Sequence, residues 1–458
     1  IFESVFRILF QSFHRVLKSG PPRPRLRRSF AIRSSDGRRF SQKRKVAMLP
    51  TASHVIETPI TLGDGETLDG HGQTYTLPGG WDFAPITAVN VTGATIRNLS
   101  IVAPPDNLSG VTGIINLQRT KKVRLENVTI QAAGRRDGTP NKGLPIIIWQ
   151  TQDTLVENSA FSYSPHWNVE ASGNDRLTLR RVDAHHGYFD GIKLATANTD
   201  TLIENCWCHD NGHNGGVGDG IDFCHGAARC DIVNTKCNHN TNGITFKYGP
   251  WNPGGSDDAP RVPCYGVKIR GGSLSHNDSS GLFAQGFSGK PPAGVEGDSA
   301  PWPMTFSVSD VVAENNTNHG FLVGAGTWTF RGCLAYRNQQ HGFYISDLAR
   351  DCHLSDCDAI ANLNANFNIW AKRTDLTNCK AFGVDVFNTP ANNWKNAVRV
   401  SQYGINLQWK PVRGGDHGVF RRVINKFSIH ENDKPKNLPP HHWEDEPKNG
   451  PAARSAGR

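Results

Sequence analysis

The chain has 458 residues, 47 glycines, only two methionines and a formal net charge of +9. No run approaches the ~18 apolar residues of a membrane span, and long amphipathic helical patterns are rare, which leaves an all-β class. Residues 1–47 hold thirteen Lys and Arg against Glu3 and Asp36, a local +11 that leaves −2 for the other 411 residues, so the body gives no argument for nucleic-acid binding.

The basic segment 1–47 is Arg- and Ser-rich with an apolar start. It reads as a targeting peptide, or as upstream sequence in front of a start at Met48. No secretory signal with a clean apolar core and a small-residue cleavage site is visible in it. From residue 60 to 77, short β-prone runs alternate with glycines, as an opening coil would. A repeat then sets in, each period carrying a strand–corner–strand unit. The expected corners are Asn98, Asn127, Asn158, Arg181, Asn205, Asn234, Gly271, Asp310, Gly332, Asp356 and Asn378, spaced 22 to 39 residues apart. Asn, Asp and Gly suit a corner that needs left-handed backbone, and stacked asparagines can bond up and down the pile. The shortest spacing is the bare coil and the excess is insertion, as in a solenoid whose coils bury their apolar faces against one another.

A second unit marks each period most clearly between residues 180 and 249: Asp190-Gly191-Ile192-Lys193-Leu194, Asp219-Gly220-Ile221-Asp222-Phe223 and Asn242-Gly243-Ile244-Thr245-Phe246. The longest insertions, 248–263 and 285–303, follow the second-unit strand of adjacent coils and bring Trp251 and Trp302. Shorter ones occupy 134–143 and 209–218. Loops of that length usually carry function, and side by side they would wall a groove on one flank. Cys206, Cys333, Cys357 and Cys379 share one repeat slot and Cys208 and Cys237 another, so they read as small core residues. A zinc site is the alternative, but no CxxC pair exists. Beyond Ala381 the pattern decays, with a closing strand or two expected between 394 and 410. Residues 48–430 thus form the coil domain, and 431–458 read as a disordered tail.

In a strand alternate side chains face opposite sides. With Ile192 and Leu194 inside, Lys193 faces water, and the same register puts Asp222, then Thr245 and Lys247, outward on the next coils. Asp190, Asp219 and Asn242 form a second outward column, flanked by His166, His185, His186 and His225. At ~4.8 Å between coils, stacked aspartates repel. A bound Ca²⁺ on Asp190, Asp219 and Asp222, the Lys193 ammonium, or a raised carboxyl pKa would relieve that repulsion. An ordinary solvated charge ladder remains the plain alternative.

These units resemble the pectin-lyase-like superfamily of single-stranded right-handed parallel β-helices over about residues 55 to 400, which implies about 11 coils. Ser164-Pro165-His166-Trp167, Asp190-Gly191-Ile192, Gly218-Asp219-Gly220 and Lys268-Ile269-Arg270 resemble motifs of polygalacturonase-type hydrolases in the same order. Gly220 stands where that family has a second aspartate, and Asn242 where it has a histidine. Gly191-Ile192-Lys193-Leu194 is similar to the strand that carries the lysine base in calcium-dependent lyases of the superfamily. Tyr163-Ser164-Pro165-His166 resembles, with one departure, the Tyr…Asp-Pro-His motif of alginate-type C5-epimerases.

The resemblance implies a secreted or cell-surface enzyme acting on an acidic polysaccharide by β-elimination. Asp190, Asp219 and Asp222 would hold Ca²⁺, and Lys193 or Lys247, its pKa lowered by a nearby cation, would take the proton. Asp190, Asp219 and His225 complete the expected catalytic set. His166, Trp167, Trp251, Lys268 and Arg270 are the expected substrate contacts. Hydrolysis or C5-epimerisation is the second reading, and a glycan-binding or tailspike-like structural helix is the rival from outside enzymology.

Overall fold

A computed structural model describes residues 54–104, 113–132, 143–212, 217–224, 226–247, 264–285, 305–371 and 374–382, with the backbone of four further strands, Val46–Ala47, Asn393–Lys395, Val398–Val400 and Asn406–Gln408. The basic extension, the Pro-rich tail, nearly all of the two longest insertions, and with them His225, Trp251 and Trp302, lie outside the described residues. Every described element is a strand.

Two sheets wind along one coil. One has 12 strands, from Ile60–Leu62 to Ala365–Ile369, and the other has 21. The strands of the smaller sheet hold three to six residues, and in Ile192–Leu194 and Leu282–Ala284 the first and third are buried and the middle one stands off the core. Successive coils pair in parallel and in register, Lys193 opposite Asp222 and Asp222 opposite Thr245. At the far end Val398–Val400 pairs antiparallel with Asn406–Gln408. A reversed strand covers the rim of the last coil, within the stretch where a closing strand was expected.

All eleven expected corners have positive φ, from 48° at Asn234 to 65° at Gly271. The amides stack as foreseen: Asn127 Nδ2 donates to Asn98 Oδ1 at 3.1 Å, and Asn378 Nδ2 to Asp356 Oδ1 at 3.1 Å. Gly271 takes the same left-handed bend, and a Cβ there would meet at close range only the movable Oδ1 of Asn234.

A second amide ladder was not foreseen. Asn168, Asn211, Asn240, Asn277, Asn316, Asn338, Asn362 and Asn366 are all buried, and each of the first seven donates Nδ2 to the Oδ1 of the next at 2.8–3.4 Å. Each buried amide thereby finds the partner whose absence would cost about 1–3 kcal/mol. The ladder also explains the glycine of the Asp-Gly-Ile unit. A Cβ on Gly191 would lie 2.8 Å from both Asn211 Nδ2 and the Gly220 carbonyl oxygen, so the backbones stack only where that carbon is missing.

The core is filled by like-on-like stacks, such as Phe223 on Phe246 with ring centres 4.8 Å apart, and Phe321 on Phe343 at 4.8 Å. All ten cysteines are buried free thiols, and Cys208 lies opposite Cys237 in register. Burial pushes Cys206 and Cys264 up to about 12, out of the range of a reactive thiolate, and among the described residues neither group of clustered ligand-type side chains contains a cysteine.

Candidate functional site

The outer face of the 12-stranded sheet carries one column of mid-strand residues: Ile147, Glu170, Lys193, Asp222, Thr245, Phe283, Leu322 and Tyr344 in successive coils. The column explains why residues far apart in sequence meet. Parallel pairing in register puts each one strand spacing, ~4.8 Å, above the last. Beside it, at the entry to each strand, runs the column Asp190, Asp219, Asn242. Their side chains are locked by the coil above: Asp190 Oδ1 accepts the Asp219 backbone N–H at 2.8 Å, and Asp219 Oδ1 accepts from Asn242 Nδ2 at 2.9 Å.

The expected gathering of Asp190, Lys193, Asp219, Asp222 and Lys247 is present, with carboxylate oxygens of the three aspartates all within 4.8 Å of one another. The expected exposure is not. Asp190 and Asp219 are 3% exposed and Asp222 is fully buried, whereas Lys247 keeps 30% of its side chain in solvent. The outward register was right, but facing off the core does not mean facing water. Lys193 bonds Asp222 directly, with Asp190 Oδ2 3.3 Å from its Nζ, and Lys247 Nζ lies 2.6 Å from Asp222 Oδ2 and 3.5 Å from Asp219 Oδ2.

Burial sets the protonation here. It pushes the Asp190 carboxyl up to about 7 against the pull of Lys193, and pushes Asp219 up as well. At Asp222 burial acts in the same direction but is outweighed by the two ammonium groups, and the carboxyl falls to about 2. Burial would lower both lysines, yet the aspartates win and hold them above their ordinary range. With no further cation beside them, the aspartates keep both amines protonated, so a lysine base here requires that these pairs be broken or outweighed. The donor set does not suit Ca²⁺ either. The ion needs about 6–8 oxygen ligands, and here two ammonium groups already sit on the oxygens it would take.

Glu170, one rung below Lys193, was missed by the sequence reading. Burial pushes its carboxyl up to about 7, Lys193 opposing. Its signal was available, since Val169-Glu170-Ala171 fills the same three-residue slot as Ile192-Lys193-Leu194. His166 and Trp167 do join the site. The Trp167 ring lies under Lys193 Nζ at 5.4 Å, and the His166 ring packs on Trp167 and Phe189 with centres 3.7 and 4.7 Å away. Burial, helped by Lys193, drives His166 down to about 4, so it is neutral at physiological pH.

Lys268 and Arg270 do not join. They lie on Val267–Ser275 of the 21-stranded sheet, where Arg270 Nη2 bridges Asp231 Oδ2 at 2.7 Å. Their strand occupies the coil position of Asp231–Asn238 and not that of Ile244–Phe246, so the expected substrate contact is corrected to a surface pair. His185 and His186 also sit at the edge of that sheet, in a group of their own with His209.

A family model described as the right handed beta helix region matches residues 86–257. The A-module of mannuronan C-5 epimerase AlgE6 from Azotobacter vinelandii is similar in structure, with a TM-score of 0.51, 13% identity, and coverage of 74% of this chain and 91% of that one. The periplasmic alginate epimerase AlgG gives 0.50 at 11% identity, covering 72% and 79%. Gene product 12 of bacteriophage phi29 gives 0.53 at 10% identity, covering 78% and 53%. No curated protein matches the chain by sequence. Among the described residues no helix is long and apolar enough to cross a membrane.

Proposed function

We propose, from the premise that this chain has the right-handed parallel β-helix fold of the pectin-lyase-like superfamily, that it acts on a uronate-containing polysaccharide by chemistry that begins at the C5–H bond. One observation carries the reading. Lys193 and Lys247, from neighbouring coils, converge on a buried aspartate cluster beside Glu170, a carboxyl whose pKa of about 7 sits at working pH.

Removing a C5 proton from a uronate requires the sugar carboxylate to be neutralised, so that the carbanion's charge is spread, and a base matched to the pH. Lys247, the more exposed amine, pairs with the sugar carboxylate, and Lys193 holds the aspartates that fix it. The cation role thus falls to the chain's own lysines and needs no calcium. Glu170 takes the proton in its ionised form. If the C4–O bond then breaks, its oxygen taking a proton from water or back from Glu170 to become the hydroxyl of the departing chain, the outcome is elimination; if a water proton reaches the opposite face of C5, it is epimerisation. Trp167 offers a flat face for a sugar ring. Hydrolysis fits less well, because Asp190, Asp219 and Asp222 are too deeply buried to touch a glycosidic oxygen.

Acidic polysaccharides are cell-surface and extracellular polymers, and one of the similar structures is of a periplasmic enzyme, which supports a secreted or cell-surface place of action. The test is incubation with pectate and alginate in D₂O with a chelator present. Either deuterium at C5, the mark of epimerisation, or absorbance from a 4,5-unsaturated uronate, the mark of elimination, is expected, and Glu170→Gln should abolish whichever appears. New reducing ends with neither signal would make the protein a hydrolase. Binding with no product would make it a glycan-binding helix.

A further inference from the structure

A second cluster of ligand-type side chains lies at the edge of the 21-stranded sheet, separate from the lysine–aspartate site. His185 ends the strand Thr178–His185 and His209 ends Trp207–His209, with the two stacked one coil apart at 4.9 Å between ring centres. The residues that follow, His186 and Asp210, both take left-handed backbone, with φ of 55° and 54°. That turn swings their side chains back alongside the strand ends. One ligand atom each from His186, His209 and Asp210 falls within a 4.8 Å circle.

The surroundings are those of a prepared ligand set. His209 Nε2 lies 3.1 Å from Asp183 Oδ1, and Nδ1 of the same ring lies 2.6 Å from Asp210 Oδ2. An imidazole held on its far nitrogen by a carboxylate is the arrangement by which proteins orient a metal-binding histidine. Trp207 stacks on the same ring at 3.9 Å and removes its remaining freedom. His185 Nδ1 is 2.7 Å from His186 Nδ1, so a third nitrogen, and fourth ligand atom, stands next to the set. Two or three imidazoles with one carboxylate suit a borderline divalent ion and not calcium or magnesium, which prefer all-oxygen ligands.

We propose that His186, His209 and Asp210 bind one zinc-class divalent ion, with Asp183 as the positioning residue for His209 and His185 as the adjacent fourth ligand. The ion bridges two successive coils. It would replace the direct His209–Asp210 contact, the ligand atoms drawing in to the ~2.0–2.2 Å bonds of a tetrahedral site.

Titration calorimetry of the full chain with Zn²⁺ alone, after chelator treatment, should give one site. Co²⁺ in its place should give the visible absorption of a tetrahedral ion. Replacing the exposed ligand, His186→Ala, should weaken binding at least tenfold, and Asp183→Asn should weaken it about 10–100-fold with the ligands intact. Circular dichroism checks that each variant is folded, and Lys193→Ala should bind Zn²⁺ as the parent does. No saturable site in the parent, or one unchanged by both His186→Ala and Asp183→Asn, would overturn the assignment.

Discussion

Along the 21-stranded sheet and its neighbouring turn, Arg176 reaches Asp153 at 2.6 Å, Arg229 reaches Asp200 at 2.6 Å and Arg270 reaches Asp231 at 2.7 Å, each pair spanning adjacent coils. Across the coil, Lys193 and Lys247 make the same kind of inter-coil contact with Asp222. Residue types and stacking distance are alike; depth is not. The arginines keep about half of their side chains in water, and pairing holds Asp153 and Asp200 below the ordinary carboxylate range. In the lysine cluster burial dominates, so that three neighbouring aspartates separate into one strongly ionised group and two that keep their protons longer. A repeat places charges at a fixed spacing, and their distance from solvent decides whether the result is an inert ladder or a set of groups poised near neutral pH.

Breaking the buried side should have the largest effect. Asp222→Ala leaves Lys193 enclosed without its main partner and is expected to cost about 3–5 kcal/mol, read as faster amide exchange in the coils containing Ile192–Leu194 and Ile221–Phe223. Unchanged exchange there would mean that the cluster is far wetter than described.

Next comes a pH signature. A carboxyl raised in the folded state keeps its proton between pH ~4 and 7, where the unfolded chain has already lost it. Unfolding therefore releases protons, and stability falls as pH rises through that window. Asp190 and Glu170, each raised to about 7, contribute this slope. Asp222, lowered to about 2, acts oppositely and only in acid: its contribution is present above pH ~4 and lost as pH drops through its folded value. The double variant Asp190→Asn, Glu170→Gln should flatten the denaturation midpoint between pH 4 and 7, as approximate limits. The smallest effect belongs to the exposed side. Arg229→Ala should leave the midpoint where it was, because a solvated pair adds little.

Much of this molecule could be read from its residues. The corners were legible because backbone conformation is a local property: a left-handed bend at fixed intervals selects Asn, Asp and Gly, and even Arg181 took the conformation that its place in the period demanded. The lysine–aspartate column was legible because register follows from the repeat. Depth was not, since the solvent exposure of Asp222 depends on what covers the sheet and not on its strand. Lys268-Ile269-Arg270 misled because a three-residue likeness carries no information about which sheet it belongs to. Glu170 and the inner asparagine ladder were missed for another reason. The coil of Glu170 lacks the glycine that marks the slot elsewhere, Asn168 standing before Val169 as Gly191 stands before Ile192, and the ladder asparagines lie outside both the corner and the Asp-Gly-Ile unit.

The ten enclosed thiols have a practical consequence. They run from Cys206 to Cys379, in coil after coil, each out of reach while its own rung is closed. An alkylating probe can modify one only after that rung has opened, so the order in which the thiols are capped traces the order in which the column loosens. The chain carries its own set of reporters for where unwinding starts, and no foreign label is needed to read them.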